Sequence, residues 1–304
     1  MRGRLLRPAG EHGDLPGALF LHCHGGVKRF GLDKLADGAS GTPVHPVLTG
    51  VRGELYGGRA PAEALARSGR AVLAHDAFGW GSRRLPLEAL PLRSEHVAGL
   101  ELAARAARGL GAPDEATAYD LHAGPAEDAV AKALGVLGTS WTGMVAREDL
   151  LAADVLAAAP GVASGGVVLL GLSGGGARAA VASALGARAR AVVVVAMVST
   201  LAEMLPAHLH SHTWALMSPG LGRVAYWPDV VAAAAPRPLL VQYARRDALF
   251  PLEGMERADA AITARYAAAG APAAYRGSFH DVPHRFGADQ QEEAVRWLDA
   301  VDAR

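Results

Sequence analysis

The pentapeptide Gly171-Leu172-Ser173-Gly174-Gly175 constrains this chain more than any other stretch. It follows the apolar run GVVLL (166–170) and precedes the helix-forming run ARAAVASAL (177–185). Gly-x-Ser-x-Gly between a strand and a helix demands a sharp, strained turn that leaves the serine exposed. Its glycines admit backbone where a Cβ would collide. The flanking strand and helix are what distinguish it from an ordinary Gly-rich turn. A phosphate loop does not fit, because no Lys-Ser/Thr follows the glycines. A dinucleotide fingerprint does not fit either, because Ser173 stands where a glycine is needed.

Similar short apolar runs recur along the chain: Gly17–His22, Ala71–Ala74, Ala191–Met197, Pro238–Gln242 and Ala273–Arg276. They lack strict alternation, which suits strands covered on both faces. Helical patterns separate them, at Ala60–Arg67, Ser94–Arg108, Ala126–Leu134, Thr142–Ala158, Ala177–Leu185, Glu256–Ala269 and Asp289–Ala303. Strands alternating with helices predict an α/β fold with a mainly parallel central sheet and helices on both faces. No composition break divides the 304 residues, so a single domain is expected, with insertions at about 83–140 and 200–236. Insertions of that size on the ligand-facing edge of a sheet suit a lid, and packing decoration is the competing reading.

A serine nucleophile needs a base, and the base needs an orienting carboxylate. On a strand–turn–helix elbow these follow in the order acid, then histidine. Asp247 directly follows the run PLLVQ, whereas Asp229 and Asp259 follow no strand. His284, in HDVPHRF (280–286), precedes the last helical pattern, and Pro283 stiffens its loop. His280 is the second candidate. In this arrangement Ser173 attacks an acyl carbonyl, His284 takes and returns the proton, and Asp247 holds the imidazole tautomer.

The developing oxyanion needs preorganised N–H donors. One is expected from Gly174, the residue after the nucleophile. The other is expected from the early loop His22-Cys23-His24-Gly25-Gly26, with Gly25 and Gly26 as candidates and Val27 as a substitute. His22 and His24 read as loop braces rather than metal ligands, since no carboxylate lies at ligand spacing. The alternating His208, His210 and His212 would share a face only in a strand, and Pro206 and Pro219 argue for a loop. Cys23 reads as a buried small thiol, not a nucleophile. No metal and no cofactor is expected. Arg29, Phe30, Trp141 and Trp214 are the candidates for lining the substrate pocket.

Composition bounds the partners. Lys+Arg (30) balance Asp+Glu (30), which argues against nucleic acid or an anionic membrane and suits a small, neutral or weakly charged substrate. The single cysteine excludes an internal disulfide framework. The start of the chain carries no apolar run of signal-peptide length and no stretch suits a membrane span, so a cytoplasmic location is expected. A homo-oligomer stays open.

Taken together these segments resemble the α/β-hydrolase superfamily, and more closely its dienelactone hydrolase-like and acetyl xylan esterase-like members. The likeness is carried by HCHGGVKRFG (22–31), AHDAFGWGSRR (74–84), LGTSWTGMVARED (137–149), GLSGGGARAA (171–180), APRPLLVQYARRDALFPLEG (235–254) and PHRF (283–286). The resemblance implies a serine hydrolase of carboxylic esters with Ser173, Asp247 and His284 as its triad. Dienelactone hydrolases proper carry cysteine at the elbow, so the serine here points to an esterase. Asp76 and Arg84 match a family loop and are expected to brace the scaffold. The alternatives are an acyltransferase or cyclase on the same fold, a peptidase, and, from another class, a non-catalytic binding protein of this fold.

Overall fold

The computed structural model describes residues 2–10, 13–38, 42–214 and 217–303. Among the described residues seven strands form one sheet: β1 (Gly3–Leu6), β2 (Gly17–Leu21), β3 (Ala71–His75), β4 (Val167–Leu172), β5 (Ala189–Val195), β6 (Leu239–Ala244) and β7 (Tyr275–His280). Their order is β1-β3-β2-β4-β5-β6-β7. Only β1 is antiparallel; it pairs with β3 at the edge, and every other neighbouring pair is parallel. The six predicted strands are all present, with ends shifted by a few residues. The edge strand β1 is the one not expected, because GRLL is short and half exposed and carries no apolar run.

Among the described residues ten α-helices accompany the sheet: α1 (Pro46–Leu55), α2 (Pro61–Arg67), α3 (Leu92–Ala107), α4 (Glu115–Val136), α5 (Trp141–Ala157), α6 (Gly174–Ala184), α7 (Leu201–Met204), α8 (Trp227–Ala232), α9 (Leu252–Ala268) and α10 (Ala288–Asp302). Successive strand residues point to opposite faces, and here both faces are covered. Leu19, Leu169, Val192, Val194 and Val241 pack with α5, α6 and α9. Phe20, Val168, Leu170, Val193 and Leu240 pack with α1, α2 and α10. This is why the strands read as continuous apolar runs.

The parallel register brings the C-terminal ends of the strands to one edge. Leu21 pairs with Gly171, Leu172 with Val195, Val195 with Gln242 and Ala244 with His280. The loops leaving β2, β4, β6 and β7 therefore converge there, as ligand-binding loops of open parallel sheets do. The first segment expected to be an insertion, 83–140, supplies α3 and α4, which pack on each other around Leu90, Tyr119, Ala123 and Ala126. The second holds α7 and α8 joined by short turns; Ala215 and Leu216 within it lie outside the described residues.

A buried polar network ties this edge to the helices beneath it. Arg178, on α6, donates to both oxygens of Asp149 on α5, at 3.0 and 2.6 Å. His75 Nε2 lies 2.8 Å from Asp149 Oδ1. Arg178 also donates to the His22 carbonyl at 3.3 Å, reaching the loop after β2. Burial alone would raise the Asp149 carboxyl, but the Arg178 charge and the His75 hydrogen bond outweigh it and hold it below the ordinary value. Removing one member leaves buried charge uncompensated. Asp149→Ala is expected to lower the unfolding free energy by about 3 kcal/mol or more in urea titration.

His22 provides a pH signature. Its Nδ1 lies 3.0 Å from the Cys23 carbonyl, and its Nε2 accepts the Ala77 N–H at 3.2 Å, which assigns the neutral Nδ1–H tautomer. Burial pushes its pKa well below the ordinary value, and the Arg178 and Lys34 charges push the same way. The unfolded chain therefore binds a proton here that the folded chain refuses, once pH falls below about 6.5. The stabilisation is complete above that pH and is lost progressively below it. Unfolding free energy is expected to fall between pH 7 and pH 5. In His22→Gln that slope should be shallower by up to about 1.4 kcal/mol per pH unit.

Candidate active site

Ser173 sits between β4 and α6 with φ 56° and ψ −128°, a conformation rare for a residue with a side chain. Such a backbone costs on the order of 1–3 kcal/mol and persists only where the surroundings impose it. Here they do: the Ser173 N–H is tied to the Val195 carbonyl at 2.8 Å. A Cβ on Gly171 would lie 2.7 Å from the Leu21 carbonyl oxygen, and one on Gly175 would lie 2.8 Å from its carbonyl carbon. The elbow closes against the end of β2 only because both residues are glycine.

His284 and Asp247 come together on the neighbouring loops. His284 Nδ1 donates to Asp247 Oδ2 at 2.6 Å, and the Asp247 carboxylate is fully buried. The other oxygen, Oδ1, accepts the Leu249 N–H at 2.9 Å. The two loops are zipped by backbone bonds, Arg245 N–H to the His280 carbonyl at 2.8 Å and Arg246 N–H to the Val282 carbonyl at 3.1 Å. With Nδ1 committed to Asp247, Nε2 is the ring nitrogen left for proton exchange. The Phe250 ring stacks on the His284 ring with centroids 6.3 Å apart. His280, the second candidate, instead pairs with Glu293 of α10 at 2.9 Å.

The loop after β2 is organised by Lys34. This lysine is fully buried, and its Nζ donates to the carbonyls of Cys23 and His24 at 3.1 and 2.6 Å. Burial lowers its pKa to about 8. In a trans peptide the N–H points opposite to the C=O. Holding these two carbonyls on Lys34 therefore turns the His24 and Gly25 N–H groups the other way. The His24 nitrogen lies 3.3 Å from where a Cβ on Gly174 would sit, so it is the loop amide beside Gly174. The Gly26 N–H, a predicted donor, is engaged by His24 Nδ1 at 3.1 Å. Gly25 has φ +61°, and a Cβ there would meet Cys23 Sγ at 3.1 Å.

Glu127, on α4, braces the same loop. It receives His24 Nε2 at 3.0 Å and the Lys28 ammonium at 3.1 Å. It also accepts the Trp214 N–H at 3.1 Å and the Thr213 hydroxyl. Burial would raise its pKa, but the His24 bond and the Lys28 charge hold it far below the ordinary carboxylate range. Lys28 is itself buried, 3.9 Å from the centre of the Trp80 ring and 4.7 Å from that of Trp141. Both insertions are thus fastened to the loop through one carboxylate.

The four predicted pocket residues are dispersed. The Arg29 side chain pairs with Glu115 at 2.8 Å, and the Phe30 ring packs on His45. Trp141 is buried against Phe78 and Trp80, and Trp214 is partly exposed and bonded to Asp128. Asp76 is buried and accepts the Leu32 and Ser82 N–H groups at 2.8 and 2.9 Å, and Arg84 holds the Gly81 carbonyl at 2.9 Å. The stretch around His208–His212 forms a 3-10 turn, and His212 bonds the Leu249 carbonyl at 3.0 Å. Among the described residues no group of three or more His, Cys, Asp or Glu is placed to hold a metal ion. None of their helices is long and apolar enough to cross a membrane.

No protein-family model matches the chain. The Bacillus subtilis protein named "Putative hydrolase YtaP" is 25% identical over 296 residues, covering 96% of this chain and 81% of that protein. A Bacteroides fragilis structure named as a "putative acetyl xylan esterase" superposes with a TM-score of 0.60 at 18% identity. That match covers 91% of this chain but 62% of the other, so this chain spans less than two thirds of its length. A glucuronoyl esterase from Solibacter usitatus also superposes with a TM-score of 0.60, at 15% identity, over 98% of this chain and 77% of that one. At such identities the likeness is one of architecture, and it agrees with the strand order and the connection through the Ser173 elbow. The chain has the α/β-hydrolase fold.

Proposed function

We propose that the protein is a serine esterase that cleaves carboxylic esters of small molecules through an acyl-serine intermediate. The observation that carries the reading is the Asp247–His284 hydrogen bond, 2.6 Å long, at the sheet edge that also bears the strained Ser173. A buried carboxylate fixing one imidazole nitrogen is what a general base needs in order to present the other to a serine.

His284 Nε2 takes the Ser173 hydroxyl proton as Oγ bonds to the ester carbonyl carbon. The carbonyl electron pair moves onto oxygen, where the Gly174 and His24 N–H groups are the proposed donors. The intermediate collapses by breaking the carbonyl–alkoxy bond, and His284 returns the proton to the departing alkoxide. Water, deprotonated by His284, then attacks the acyl-serine. The products are acid and alcohol, and Ser173 regains its proton. Asp247 stays ionised and stabilises the imidazolium throughout. No step calls for a cofactor.

A fluorophosphonate probe is expected to label the wild-type protein and not Ser173→Ala. Turnover of p-nitrophenyl acetate should fall about 10⁴-fold or more in that variant. A folded wild-type protein that neither reacts with the probe nor turns over any ester would sink the proposal. Lys34→Met should lower kcat about 10²-fold with KM little changed, because it frees the carbonyls whose peptides carry the His24 and Gly25 N–H groups. In the wild type, the charge on Lys34 strengthens those donors and is lost as pH rises through about 8. The kcat profile should therefore decline on that limb, and the same limb should be missing in Lys34→Met.

A further inference from the structure

A cavity of about 120 Å³, part of it open to solvent, lies between segment 200–236 and the C-terminal ends of the strands. Its walls include Met197, just past β5, Met204 on α7, Leu221, Trp227 at the start of α8, and Phe250. Phe250 is the ring that stacks on His284, so the cavity abuts the proposed base through a single side chain. A substrate whose scissile bond reaches His284 has this space beside it.

The walls are predominantly apolar, with the hydroxyl residues Ser199, Ser218 and Tyr226 among them. None of the described residues lining the cavity is charged. Several of their polar groups have internal partners. Trp227 Nε1 donates to the Met197 carbonyl at 3.0 Å, the Ser199 hydroxyl to the Thr200 carbonyl at 3.4 Å, and the Ser218 and Ser140 hydroxyls lie 3.4 Å apart. Nothing here resembles the convergent donors and acceptors that a sugar ring or a carboxylate demands, because such groups lose water on entry and need replacements. An alkyl or aromatic group gains by the same desolvation.

We infer that this cavity is the binding site for an apolar substituent of the ester, alkyl or aromatic and several carbons long, rather than for a sugar or a charged group. The inference rests on the esterase reading and adds the substrate class to it. Binding energy from the substituent should raise kcat/KM by about fourfold per buried methylene until the cavity is filled.

The test uses two series on the intact protein: p-nitrophenyl esters from acetate to octanoate, and alkyl acetates from methyl to octyl. The first extends the acyl side and the second the alcohol side. A rise in kcat/KM of about tenfold or more between the two-carbon and six-carbon members of either series supports the site and says which side it holds. Ala225→Phe, which fills the cavity with apolar bulk, should bring that ratio towards one, and Leu221→Phe is the second variant should the first fail to fold. Series that are flat on both sides, or a ratio that neither folded variant changes, would overturn the inference. Calorimetric titration of Ser173→Ala with 1-hexanol separates the two proposals, because it needs no chemistry. Hexanol binding to Ser173→Ala that is lost in the Ala225→Phe double variant, together with a wild-type protein that turns over no ester, would leave the cavity standing and the esterase reading fallen. Absence of hexanol binding in a protein that turns over acetate would do the reverse.

Discussion

The close approach of the Ser173 elbow to the end of β2 is the constraint on which the rest of the site depends. Gly171 and Gly175 allow the turn to press on the Leu21 carbonyl, and any side chain at either position would force the two apart. That contact sets the start of α6 beside the loop after β2. The Gly174 and His24 amides then become neighbours. The unfavourable φ of Ser173 is sustained by the same closure and by the bond to Val195 from the other side.

One turn further along α6, Arg178 extends this arrangement into the interior. Its guanidinium reaches the His22 carbonyl and the Asp149 carboxylate together, so the helix that starts at the Ser173 elbow is chained to α5 and to the loop after β2. A buried ion pair is a poor source of net stability, since desolvation offsets most of the attraction. Its value here is positional. Lys34 does the equivalent on the far side of the loop, holding two carbonyls that no strand or helix would otherwise fix. Two buried cations thus orient backbone groups of a Gly-rich loop that has little conformational preference of its own.

Much of this was legible in the sequence, and the remainder was not for identifiable reasons. The parallel strands were visible because their two faces pack on separate clusters, giving unbroken apolar runs. The elbow was visible because it ends such a run; Asp247 and His284 were candidates on the loops after two later runs, and the fold brings their side chains together while His280 turns to Glu293. The helix α1 was hidden by its two interior glycines, and β1 by its exposed edge position. Lys34 and Glu127 left no signal. Each is an ordinary charged residue whose role exists only because the fold brings it to a loop elsewhere in the chain, 10 or 11 residues away for Lys34 and 103 for Glu127. The donor register was illegible for the same reason. The glycines of HCHGG mark where the backbone is free to turn, but the carbonyls that Lys34 captures decide which amides face Gly174.

The two insertions divide their labour by polarity. The first reaches the loop after β2 through a carboxylate, Glu127, whose partners are His24, Lys28 and a backbone amide of the second insertion. The second turns an apolar wall of methionine, leucine and tryptophan towards the ring stacked on His284. Charge is therefore spent on anchoring, in a buried setting where His24 and Lys28 keep Glu127 ionised. The space beside the proposed base is left without it. A chain of balanced charge with an uncharged, mostly apolar recess next to the proposed base suits a ligand recognised by shape and desolvation.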